Sequence, residues 1–317
     1  MRVIGGELEI KISDYKSYFT DSGRSSLRLF LRSSNHAEKK YFLPDFFCSV
    51  IENIFKEESI NYSFYKINKD LTFNIEKILE EDFDVLYIIN YFGQQTSINS
   101  SLLNDKIVIE DNVFFFNFNN NLNYKNWFAF NSFRKISKLS SGSMIKTNLN
   151  LNSELIKASD APFHHLKNIA KNIKYEYVNN NLYTEKDYLE KFNEAEDNID
   201  IQSDIFTMNS ENISLLLDFN INTEQEICKK RFEELLKSFS TQCINKESQY
   251  YSYFVMSIDN RDSLRKQLMS DNIFLPVHWP ESTISNELYK NVISIPLYEI
   301  YTESEYSYLI DKIKGIK

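Results

Sequence analysis

Hydrophobic residues in the first 130 positions follow two alternating rhythms. In "SGRSSLRLFLRSS" (22–34), Leu27, Phe30 and Leu31 recur at helical spacing behind a Ser-Gly start, which predicts a helix. "KKYFLPDFF" (39–47) reads as a strand running into a turn at Pro44, "SVIENIFKEES" (49–59) as an amphipathic helix, and "INYSFYKI" (60–67) as a second strand. "FNIEKILEED" (73–82) is helical again. "DVLYIINYFG" (84–93) is a continuous apolar run of buried-strand length, followed by "KIVIEDN" (106–112) and the aromatic "NWFAFNSF" (126–133). Alternation of this kind predicts a mostly parallel sheet with helices on both faces, and such sheets bind ligands beyond the carboxyl ends of their strands.

The pattern changes after position 150. Residues 150–210 are polar and Asn-rich, with helical pieces such as "EKDYLEKFNEAEDNI" (185–199), and read as connecting structure and surface helices. "TEQEICKKRFEELLKSFS" (223–240) predicts a long amphipathic helix. "YYSYFVMSI" (250–258) and "IFLPVHW" (273–279) read as strands, and "RDSLRKQLMSDN" (261–272) and "ESEYSYLIDKIKGI" (303–316) as helices. We therefore expect a large α/β domain over 1–210 and a smaller α+β domain over 211–317. With no Gly/Ser linker between them, they should pack together.

Composition narrows the function classes. The 317 residues are 42% hydrophobic and 26% charged, and no apolar run reaches the ~20 residues that span a bilayer. The N-terminal "MRVIGGELEI" lacks the apolar core of a signal peptide, so a cytoplasmic protein without membrane attachment is the expectation. A net charge of −9 argues against a broad nucleic-acid surface. Cys48, Cys228 and Cys243 are too few and scattered for a disulfide framework or zinc ribbon, and four histidines make no evident metal cluster.

Against only six glycines, Gly23, Gly93 and Gly142 stand out as interior ones. "SGRSS" (22–26) opens a helix with free backbone N–H groups, an arrangement that binds phosphate. "VIEDN" leaves Asp111 at a strand end, where it either caps the next segment or holds a cationic nitrogen. "SFRK" supplies the Ser132 hydroxyl and the Lys135 amine, and the neighbouring Arg134 would lower that amine's pKa. Lys138 competes with Lys135. A phosphate cradle, a strand-end aspartate and a lysine after a later strand are together what pyridoxal phosphate requires.

These stretches, in this order, resemble the DegT/DnrJ/StrS family of fold-type I, pyridoxal-phosphate-dependent sugar aminotransferases. "SGRSSL" is similar to the family's phosphate loop, "FLPDFFCSV" to its "PsYtC" segment and "NYFGQQ" to "hlyGqp". "VIEDN" matches "viEDa", "SFRKISKLSSGS" the lysine loop "SfRKxxxxpdGG", and "DNIFLPVHWP" and "SIPLYEIYTESEYSYLIDKI" the C-terminal motifs. The resemblance implies a large domain with a mostly parallel sheet plus a smaller C-terminal α+β domain. Lys135 would bind the cofactor covalently and shuttle the proton, and Asp111 would keep the pyridine nitrogen protonated. Gly23, Arg24, Ser25 and Ser132 would hold the phosphate, with Cys48 and Phe114 beside the ring. Gly93 would turn the strand end beside the cofactor, and Tyr91, His278 and Trp279 would face substrate. It also implies a homodimer, a glutamate donor and a nucleotide-linked keto-sugar acceptor for surface glycan assembly.

The match departs from the family pattern at Phe114, where Gln or His is common, at Cys48, where an aromatic often stacks, and at Ser143, the second position of the "GG" pair. The chain is also shorter than typical members. A catalytically impaired binding or regulatory relative, or an aminotransferase acting on a smaller keto or aldehyde compound, therefore stays open. "VFFFNF" (113–118) reads as core, Arg24 as a partner of either a substrate carboxylate or a helix, and His36 as a solvated loop residue.

Overall fold

The structure is a computed structural model that describes residues 14–33, 36–118, 124–279, 284, 286–298 and 300–316. In chain order its first part runs β1 (Lys16–Thr20), α1 (Gly23–Arg32), β2 (Lys40–Pro44), α2 (Ser49–Glu57), β3 (Asn61–Tyr65) and α3 (Ile75–Leu79). It continues with β4 (Val85–Ile89), β5 (Ile107–Asp111), β6 (Asn126–Phe130), α4 (Phe133–Ile136) and β7 (Ser143–Thr147). Then come β8 (Ile156–Lys157), α5 (Pro162–Asn180), α6 (Glu185–Ile201), β9 (Ile205–Phe206), α7 (Ser210–Asp218) and α8 (Ile221–Phe239). The chain closes with β10 (Tyr253–Ser257), α9 (Arg261–Ser270), α10 (Leu288–Asn291), β11 (Val292–Pro296) and α11 (Glu303–Gly315).

Seven strands form one sheet in the order β1-β7-β6-β5-β4-β2-β3. From β6 to β3 neighbouring strands are parallel, whereas β7 runs antiparallel to both β6 and β1. The apolar runs of β4 and β5 are buried along their whole length, as strands covered on both faces must be. Register aligns Ile89, Asp111 and Phe130 at one end of the sheet, so the segments that leave these strands converge there.

The second, two-stranded sheet of β10 and β11 is used on both faces, because successive strand residues point to opposite sides. Phe254, Met256, Ile293 and Ile295 face a core made with Cys228, Phe232 and Leu235 of α8, Leu264 and Leu268 of α9 and Ile310 of α11. Tyr253, Val255 and Val292 join the main core instead. The small sheet thus belongs to two cores at once.

Two sequence expectations are corrected and one is extended. Ile273–Trp279 forms no strand; Leu275 packs into the C-terminal core while Trp279 takes φ +59°. The helix expected at 185–199 is present as α6, and the polar stretch before 210 holds a second long helix, α5, packed on it. His36 is buried and stacks on Phe30 at 4.3 Å, and burial, with Lys39 adding to it, pushes its imidazole down to about 4.

Candidate active site

The converging ends of β4, β5 and β6 open into a cleft of about 710 Å³ of free space, solvent at its mouth included. It is lined by Ser22, Gly23 and Arg24 from the start of α1, Cys48, Val50 and Ile51 at α2, Ile89, Asp111, Val113, Phe114 and Phe130 at the strand ends, and Ser132, Arg134 and Lys135 at α4. His278 and Trp279 close it from the C-terminal part of the chain.

Asp111 is buried at the last position of β5. Tyr87 Oη donates to its Oδ2 at 2.7 Å, and the Val113 amide to its Oδ1 at 3.0 Å. Burial outweighs these bonds and pushes its carboxyl up to about 6. A carboxylate so placed has reason to favour a cationic partner.

Above it, α1 begins at Gly23, whose Cα packs so closely on the end of β6 that a Cβ would lie 3.2 Å from Asn131 O. Ser22 caps the helix, its Oγ accepting from the Ser25 amide at 3.2 Å. A chain of hydroxyls, Thr20 to Ser26 at 2.8 Å and Ser26 to Ser143 at 2.7 Å, ends where Ser143 Oγ donates to Asn131 O at 2.5 Å. The serine in place of a second glycine therefore fastens the lysine loop to α1. Gly142 turns that loop with φ +116°, and a side chain there would also meet Met208.

Lys135 lies on the single turn of α4 and is solvent-accessible within the cleft. The Arg134 cation, then desolvation, lower its amine to about 8. Because the side chain is open to water, we assign the larger share to that neighbouring charge. Arg134 is itself anchored, Nη1 to Glu196 Oε1 at 3.2 Å, and Lys167 binds the same oxygen. Burial opposes ionisation of Glu196, but Arg134 and Lys167 outweigh it and hold the carboxyl down at about 2. Arg24 pairs with Asp200, one turn further along α6, so the helix is its partner. Lys138 does not line the cleft; its carbonyl accepts from Lys171 Nζ at 2.8 Å.

The opposite wall is aromatic. Phe114 packs on Phe92 at 4.6 Å and meets His278 edge-on at 5.6 Å. His278 Nδ1 lies 2.9 Å from Ser294 Oγ, and burial, with the Lys135 charge adding to it, keeps the imidazole neutral by pushing it down to about 3. Two of the expected site residues stand behind the cleft: Ser25 is buried against Ser22 and Gln202, and Tyr91 donates to Phe46 O and packs behind Trp279. Sequence reasoning missed Tyr87, Glu196 and Lys167. A lone tyrosine within the aliphatic "VLYII" was the only available signal for the first. Among the described residues no group of His, Cys, Asp and Glu could hold a metal ion, and no helix is long and apolar enough to cross a membrane.

No protein-family model matches the sequence, and no curated protein does. Solved structures do match. A putative sugar aminotransferase, Spr1654 of Streptococcus pneumoniae in its PMP form, superposes with a TM-score of 0.65 at 12% identity, over 94% of this chain and 87% of that one. A DegT/DnrJ/EryC1/StrS aminotransferase from Brucella abortus gives 0.60 at 14%, over 94% and 85%. This chain has the fold-type I aminotransferase fold. A NifS-like protein from Rickettsia africae also matches, with a TM-score of 0.59 at 16% identity over 95% of this chain and 81% of that one.

Proposed function

We propose that this chain is a pyridoxal-phosphate-dependent aminotransferase that moves an amino group from an amino acid, glutamate by expectation, to a keto group of a nucleotide-linked sugar. A cytoplasmic homodimer serving surface glycan assembly is the setting that fits this reading. One observation carries it: the accessible Lys135 and the buried Asp111 line the same cleft as the start of α1.

The residues present fit such a cofactor. Asp111 would bind the pyridinium N–H, a cation that relieves its burial. The α1 amides at Gly23 and Arg24 would take the phosphate with Ser132, whose hydroxyl is not used to cap α4. Cys48 and Phe114 would flank the ring. Arg24 and Arg134 are matched to Asp200 and Glu196, which leaves Lys135 as the cleft-lining cation without a carboxylate partner among the described residues.

Bound there, pyridoxal phosphate supplies an electron sink that acidifies the α-proton of an amino acid. Lys135 Nζ would hold the cofactor and, once released, take that proton and later give it back. The Arg134 charge keeps a larger fraction of the amine neutral near neutral pH. His278, held neutral, would accept or donate hydrogen bonds to substrate without adding charge.

The test is to incubate the protein with pyridoxal phosphate, reduce with borohydride and map the labelled peptide. Wild type should carry the label on Lys135, Lys135→Ala should carry none, and prior glutamate should deplete it. Label on Lys138, or no label, overturns the assignment. Label that no amino acid depletes would instead identify a binding protein.

A further inference from the structure

The main chain at Lys135 is held from a distance. α4 has four residues, so the Lys135 carbonyl finds no partner in a following turn. Tyr298 Oη donates to it at 2.8 Å. Tyr253 Oη lies 2.6 Å from Tyr298 Oη and 3.3 Å from the same carbonyl. Two hydroxyl protons serve these three contacts: Tyr298 donates to the carbonyl, and Tyr253 donates either to Tyr298 or to the carbonyl directly. Burial raises both phenols, so both remain protonated donors.

Neither tyrosine is free to drift. Tyr253 sits on β10, and its ring meets His278 at 4.9 Å and Phe114 at 5.9 Å, both in the cleft wall. The backbone around Tyr298 is gripped by buried Arg231 of α8, which donates to the carbonyls of Tyr298 and Tyr301. One unit therefore touches both the substrate-facing wall and the lysine's backbone.

We propose that Tyr298, backed by Tyr253, is a positioning residue for Lys135, fixing the main chain from which the amine projects and tying it to the β10–β11 sheet. This rests on the reading of Lys135 as the reacting amine.

The test compares wild type with Tyr298→Phe, Tyr253→Phe and the double variant. Amide hydrogen exchange across 133–137 is measured on the cofactor-free proteins, and on the loaded ones the rate at which glutamate, added before the borohydride, depletes labelling of Lys135. Losing one such bond costs roughly 1 kcal/mol, so Tyr298→Phe should exchange about fivefold faster in that segment and slow that depletion about fivefold. Tyr253→Phe should do less, because Tyr298 keeps its bond, and the double variant should exceed Tyr298→Phe, in which Tyr253 can still donate to the carbonyl from 3.3 Å. Unchanged exchange in Tyr298→Phe overturns the proposal, as does faster exchange with a wild-type rate of depletion, which would make the contact merely structural. Should Tyr298→Phe fail to fold, Tyr253→Phe is judged by the same two readouts. Absence of label on wild-type Lys135 fails the functional reading itself and takes the proposal with it, a result visible before any tyrosine is changed.

Discussion

Asp111 and Lys135 face one cleft but are held there in different ways. Asp111 is fixed by the sheet: its partners are Tyr87 on the adjacent strand and the amide two residues on, and the register that sets it beside Ile89 and Phe130 is that of the buried strands. Lys135 is fixed by the rest of the molecule. Its charged neighbour Arg134 is anchored 62 residues away at Glu196, and its carbonyl 163 residues away at Tyr298. Changes around Asp111 should therefore alter the chemistry while the fold survives, whereas changes around Lys135 should tune an amine whose surroundings are adjustable.

The largest expected effect is at Asp111. Its carboxyl sits at about 6 instead of 3.8 because it is buried, so over that interval the folded protein keeps a proton the unfolded chain has lost. Stability of the cofactor-free protein should be fully present below about pH 4 and fall as pH rises to about 6, by roughly 3 kcal/mol at 1.4 kcal/mol per unit. Asp111→Asn should abolish this step and be the more stable protein at pH 8, yet transaminate roughly 100-fold slower. A separate step, from Glu110 pushed up to about 7 by burial, should remain in the variant. Melts from pH 4 to 8, beside single-turnover rates with glutamate, decide the matter. A variant less stable than wild type at pH 8 contradicts the account of Asp111.

A smaller effect is expected from the lysine side. Arg134→Met removes the nearest cation, so the Lys135 amine should move up from about 8 towards the ordinary lysine value. A rise of about one unit would slow cofactor labelling near pH 7 about tenfold and restore it at higher pH. The pH profile of labelling reads this directly. A uniform loss at every pH would mean that Arg134 acts by holding structure alone.

The same contrast explains what was legible in the sequence. α1, α2 and the five parallel strands could be read because each apolar run carries its own period, and the positions of Asp111 and Lys135 at the cleft because each ends or follows such a run. β1 and β7 escaped because "KSYFT" and "SMIKT" are short, half-polar strands whose pairing is antiparallel and non-local. "IFLPVHW" misled because its apolar side chains serve two different surfaces. Leu275 points into the C-terminal core, while His278 and Trp279 face the cleft. Arg24 could be placed on α1 but not paired, since Asp200 lies 176 residues away. Ser143 looked like a defect in a glycine pair until its bond to Asn131 O gave it a task.

The smallest effect, and the finest test of the contrast, is Tyr87→Phe. The hydroxyl is buried and its bond to Asp111 Oδ2 favours the ionised carboxyl, so losing it should raise that carboxyl further above 6. A hydrogen bond to a charged group is worth about 1.5 kcal/mol, which corresponds to about one pH unit. In the protein loaded with pyridoxal phosphate, a cationic ring nitrogen facing Asp111 would offset most of this, leaving the proposed activity a few-fold low near pH 7 and normal near pH 9. Because Tyr87 belongs to the sheet and touches nothing at α4, the pH profile of Lys135 labelling should not move. If it did move, Asp111 and Lys135 would be one coupled unit and not two independently held groups.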